Sequence, residues 1–164
     1  MKLIVKGEGS ISRKELKTVI EFMMKTMNVS HLLKDATINV SFSKKLKIFD
    51  GYFIACKKKM YWIMIKNNIN YRDTLHVLAH ELVHFKQFAG NEITRYDLVK
   101  GKVTFNKVIY DTKKLHYYDY PWEIEAHGRE HGLVERYIDY ANALKKNKGD
   151  VKKQRRKFVN TEAR

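Results

Sequence analysis

Between Asp73 and Gly90 the chain sets Leu75, Leu78, Ala79, Leu82, Val83 and Phe88 at helical spacing, and inside that apolar stripe stands His80-Glu81-Leu82-Val83-His84. The pattern predicts a helix that begins at Asp73 or Thr74 and closes on a left-handed glycine at Gly90. Four residues make slightly more than one turn, so His80 and His84 leave the same face about 6 Å apart and can grip one ion, as tetrahedral zinc requires. Glu81 sits one step around the helix, placed to reach a water on the metal instead of the metal itself. The flanking leucines and valines would anchor this helix in a core, which separates it from a surface helix with two incidental histidines.

The rest of the chain supplies a mixed frame. Ser12-Arg13-Lys14-Glu15 reads as a capping box, and Leu16, Val19, Ile20, Met23 and Met27 continue it as a first helix over about 13–27. Ile38, Val40 and Phe42 alternate with polar residues as a strand. Two further β-rich runs, 52–56 and 60–66, flank Lys57-Lys58-Lys59 as a hairpin, so three antiparallel strands are expected. Residues 101–111 suggest a short hairpin, and Pro121 suits the first turn of a third helix carrying Trp122, Ala126, Leu133, Tyr137, Ala141 and Leu144 on one stripe.

Two histidines leave a catalytic zinc one protein ligand short. An extension of the motif along its own helix would need glycine at position 87 and histidine at position 90, where the chain has Gln87 and Gly90. A later helix offers Glu123 and Glu125. Taking 100° per residue from Ala126, Glu123 falls within the inward stripe and Glu125 lies off it, so Glu123 is the expected third ligand with Glu125 in reserve. His127 and His131 form another pair four apart, while His31 and His116 have no partner at ligand spacing, and His76 shares the face of His80.

With these residues in view, the stretch from Met60 to about residue 130 resembles the gluzincins, the thermolysin-like zinc peptidases, in a minimal form, and is similar to small zincin-like peptidases of phage genomes. The resemblance implies a zincin-like α+β fold, in which a small, mostly antiparallel sheet packs with the HExxH helix and a second, ligand-bearing C-terminal helix. It implies a zinc metalloendopeptidase, with Zn²⁺ held by His80, His84 and Glu123 and with Glu81 as general base. In that clan the ligand Glu is followed after three residues by a small residue and after four by a polar one supporting a ligand histidine. Ala126 and His127 stand at those places, with His127 replacing the usual Asp or Asn. Tyr117, Tyr118, Tyr120 and His131 are candidate oxyanion donors that spacing does not separate, and the strand Tyr61–Lys66 is the expected edge for an extended polypeptide substrate. The His127/His131 pair leaves open a SprT-like protease, in which a later histidine replaces the Glu ligand.

Charge adds a second theme. The chain carries 33 Lys plus Arg against 18 Asp plus Glu in 164 residues, a net +15, and residues 145–164 alone hold +7. The expected organisation is one domain over 1–144 followed by a basic extension over 145–164. That extension is a candidate contact for nucleic acid or an acidic partner, so a basic nucleic-acid-binding or phage structural protein retaining the fold is the rival reading. No apolar stretch reaches the length of a membrane span, and Met1–Ser10 lacks the apolar segment of a secretory signal. The single Cys56 excludes an intrachain disulfide. The expected location is cytoplasmic or virion-associated, with no membrane partner.

Overall fold

A computed structural model describes residues 1–57, 59–97 and 99–161, with side chains described to residue 147. The chain divides into two compact units, Met1–Val134 and Glu135–Arg164. The first unit is a mixed α+β body. Its elements are β1 (Lys2–Lys6), α1 (Arg13–Thr26), β2 (Thr37–Ser43), β3 (Gly51–Cys56), β4 (Met60–Lys66), α2 (Tyr71–Ala89), β5 (Ile93–Asp97), β6 (Lys102–Phe105), β7 (Val108–Asp111) and the start of α3 (Pro121–Thr161). The second unit is the continuation of α3. The boundary expected after residue 144 falls inside that second unit, and the basic run from residue 148 onward lies outside the described side chains. No helix among the described residues is long and apolar enough to cross a membrane.

The larger sheet has the order β1-β2-β4-β3 and is not mostly antiparallel. β1 pairs with β2 and β2 with β4 in parallel, and only the β3–β4 hairpin is antiparallel. Parallel neighbours need a crossover, and α1 supplies the one from β1 to β2. The strand β1, with its three apolar residues between lysines, precedes the expected first helix; it is too short to show a period. With β1 and β2 on one side and β3 on the other, β4 is interior, and the edge nearest the HExxH helix is β3.

α1 begins at its expected cap, with the Ser12 hydroxyl accepting from Glu15 N–H at 3.2 Å. Leu16, Val19, Ile20, Met23 and Met24 on α1, Ile38, Val40, Ile63 and Ile65 on the sheet, and Leu75, Leu78, Leu82, Val83 and Phe85 on α2 are all fully buried. Each contributes about 1.5–3 kcal/mol through burial, so α2 is held by its back while its histidine face turns toward α3. α2 starts earlier than expected because Asn70 takes the cap, accepting from Asp73 N–H at 2.9 Å and donating to its carboxylate at 2.7 Å. At its other end Gly90 keeps φ −84°, and the left-handed residue is Asn91 at φ 58°. Asn91 N–H donates to Phe88 O and Glu92 N–H to Gln87 O, so the terminal carbonyls are satisfied in a Schellman pattern one residue beyond the glycine.

The three-stranded sheet β5-β6-β7 is antiparallel. Its β6–β7 hairpin turns on Asn106 and Lys107, both at positive φ, as a tight turn matching the strand twist requires. Ile93, Val103 and Phe105 from this sheet close around Trp122. That cluster pins the first turn of α3, and with it the neighbouring Glu123.

Candidate metal centre

The two helices bring three acceptor atoms to one point. His80 Nε2 and His84 Nε2 lie 3.1 Å apart, and Glu123 Oε2 lies 3.4 Å from the first and 3.5 Å from the second. Both carboxylates expected at the site are buried, with Glu81 and Glu123 each 5% exposed.

The outer nitrogens fix the tautomers. His80 Nδ1 lies 2.9 Å from Glu130 Oε2, an acceptor, so Nδ1 carries the proton. His84 Nδ1 lies 2.9 Å from Gln87 Oε1. The orientation of that amide is set on its other side, because Gln87 Nε2 donates to Trp122 O at 2.9 Å and Glu125 Oε2 at 3.1 Å. With both imidazoles neutral, the two Nε2 lone pairs therefore face each other and a carboxylate oxygen. Three acceptors at contact distance repel unless a cation lies among them.

The triangle fits a particular cation. Zinc bonds of about 2.0–2.1 Å in a tetrahedron put neighbouring donor atoms about 3.4 Å apart, close to all three observed edges. The donor set of two neutral imidazoles and one carboxylate, each imidazole donating its other N–H outward, is the arrangement that orients and strengthens such ligands. These residues fit zinc, and His80, His84 and Glu123 would hold it.

The electrostatics of the metal-free cluster agree. Burial works against charge on His80, but bonding to Glu123 and Glu130 pushes its pKa up to about 9. Burial likewise opposes ionisation of Glu123, yet the histidines and Tyr117 hold it well below the usual carboxylate range. Glu81 is raised to about 7 by burial, partly offset by His84 and His80. Its Oε1 lies 2.6 Å from where a Cβ on Gly51 would stand, so the carboxylate packs directly on the backbone at the start of the edge strand.

A cleft of about 380 Å³ opens over the triangle, lined by His80, Glu81, His84 and Glu123 and by an apolar wall that includes Phe53, Phe88, Ile93 and Trp122. Tyr117 enters it and donates to Glu123 Oε2 at 2.7 Å. Its phenol is held protonated by burial first and by that carboxylate second. Of the candidate oxyanion donors, Tyr117 is thus the one at the centre. Tyr120 donates to Thr112 O at 3.0 Å, Tyr118 stacks on His116 and meets the His127 ring at a tilt, and His131 stacks on His76.

Glu125, held in reserve by the sequence, does not reach the triangle. It accepts from Lys86 at 2.6 Å, Arg129 at 2.8 Å and Gln87. His127 packs on the far side of the His80 ring, 4.6 Å between centroids, with its Nδ1 3.5 Å from Glu130. His80, His127 and Glu130 could themselves group around an ion, but on the Nδ1 side of His80, away from His84. The residue that supports His80 is thus Glu130, which sequence reasoning missed. Seven residues after Glu123, it lies two turns along nearly the same stripe, and that spacing could have found it. The expected substrate edge is also displaced: β4 is interior, and β3 lines the cleft.

Neither family models, nor curated proteins, nor solved structures match this chain.

Proposed function

We propose that this protein is a zincin-like metallopeptidase of minimal gluzincin type, hydrolysing peptide bonds with Glu81 as general base. The observation that carries the reading is the convergence of His80 Nε2, His84 Nε2 and Glu123 Oε2 with Glu81 buried beside them. Zinc bound there would polarise a carbonyl and acidify a water. Glu81, buried in the same cleft as the two histidines, is placed to accept a proton from that water and return it to a leaving amine. Tyr117 is the donor available to an oxyanion at the same point, through the hydroxyl now held by Glu123. The edge strand β3, whose residues Gly51–Ala55 line the cleft, offers its outer backbone groups to an extended chain.

Metal analysis tests the centre and proteolysis tests the chemistry. Protein purified without added zinc should hold about one equivalent, and His80→Ala should lose it. Glu81→Gln should keep the metal while cleavage of unfolded casein falls roughly 100- to 10,000-fold. Full metal content in His80→Ala, or undiminished cleavage by Glu81→Gln, contradicts the assignment.

A further inference from the structure

The segment 44–50, between β2 and β3, is charged and apolar at once. Lys44, Lys45 and Lys47 are exposed, Ile48 is 87% exposed and Phe49 is 61% exposed. None of the three lysines has an ion pair with a described residue, whereas Asp50, the one acid of the segment, is taken by Lys66 at 2.9 Å. The loop therefore presents three uncompensated positive charges beside two bare apolar side chains.

Its position ties it to the centre. Ser43 pairs with Lys66 and Gly51 with Ile65, so both ends of the loop emerge at the same end of the sheet. Phe49 lines the cleft, and Gly51 is the residue against which Glu81 packs. A chain laid along β3 through the cleft must pass this loop as it leaves the reacting point.

Resting on the peptidase reading, we infer that the substrates are polypeptides with a large apolar side chain at the cleft and acidic residues beyond it, on the 44–50 side. The apolar part follows from the wall of Phe53, Phe88, Ile93 and Trp122. The acidic part follows from charge: Lys44, Lys45 and Lys47, exposed and without an ion-pair partner among the described residues, favour carboxylates on the 44–50 side. Phe49 belongs to the cleft wall, which favours a polypeptide here over a lipid surface that would need the loop's apolar tip directed away from the centre.

Binding and cleavage give separate readouts. Zinc-loaded Glu81→Gln should bind a labelled peptide with Phe followed or preceded by three Glu about 10-fold more tightly than the same peptide with three Lys, and added salt should shrink the difference. The triple variant Lys44→Glu, Lys45→Glu, Lys47→Glu, on the Glu81→Gln background, should reverse the preference. Equal binding of both peptides, or an unchanged preference in the triple variant, overturns the inference whether or not the wild type cleaves. Cleavage sites mapped by mass spectrometry in unfolded protein should place Asp or Glu on one side of an apolar residue. Cleavage without such a bias overturns the inference and leaves the peptidase reading intact, whereas acidic-peptide binding with no cleavage overturns the reading and not the surface. Capture by phosphatidylcholine–phosphatidylserine vesicles that Ile48→Ser abolishes would assign the loop to lipid instead and overturn the proposal.

Discussion

Glu123 and Glu125 stand two residues apart on one helix turn and do different work. Glu123 touches both Nε2 atoms, whereas Glu125 reaches the centre through Gln87, the residue that orients His84. Glu123→Ala should therefore remove a ligand and weaken zinc by more than 100-fold, while Glu125→Ala should loosen only an outer support, at about 10- to 100-fold or less. Competition with a chromophoric chelator measures both. Greater loss in Glu125→Ala would transfer the ligand role. At this scale the sequence was informative because helical phase alone separates the two carboxylates. The supports were harder to read: Gln87 sits three residues after His84 and acts through an amide whose orientation depends on Trp122 O from another helix. No local pattern encodes that long-range bond.

Among elements, α2, α3 and the hairpin expected over 101–111 follow from their apolar patterns, and the structure places them close to expectation, although α2 is capped by Asn70 instead of Asp73 or Thr74 and its left-handed stop is Asn91 instead of Gly90. The sheet does not, because pairing order depends on which strands meet after crossovers, and the five-residue β1 gives no periodic signal. Adding β1 beyond β2 and seating β4 between β2 and β3 moved the edge from 60–66 to 51–56, and with it the expected substrate strand. The new edge makes Gly51 a critical contact. A Cβ there would stand 2.4 Å from Val77 Cγ1 and 2.6 Å from Glu81 Oε1, inside the approach that carbon atoms tolerate. Gly51→Ala should push the Glu81 carboxylate aside, lowering kcat by about 100-fold while zinc content stays near one equivalent, since neither His80 nor His84 is touched. Steady-state kinetics with parallel metal analysis checks this. A variant with full kcat would show that β3 and Glu81 need not be in contact.

For the whole molecule, a metal bound at this centre would couple to folding and to protons. Without metal, His80 has a folded pKa near 9 against an ordinary 6.5, so the stability it contributes is fully present below about pH 6.5 and is lost as pH rises through 9. Glu123 acts with the opposite sign: its lowered pKa contributes above the ordinary carboxylate range and is lost on acidification. Zinc requires the Nε2 lone pairs that the proton occupies, so its affinity rises over the same interval in which the proton-held contribution fades. Because bound metal stabilises by RT ln(1 + [Zn]/Kd), the two forms must diverge with pH. Thermal unfolding of chelator-treated protein should show Tm falling between pH 6.5 and 9, while protein with stoichiometric zinc holds or gains Tm, widening the gap between them. His80→Ala should abolish the gap and reduce the fall, the remainder coming from His84, whose pKa is also raised, against the opposing effect of burial, by its bonding to Glu123. A gap constant across that interval would mean that proton and metal do not compete for one set of atoms, and would separate the His80–Glu123 pairing from any role in holding a cation.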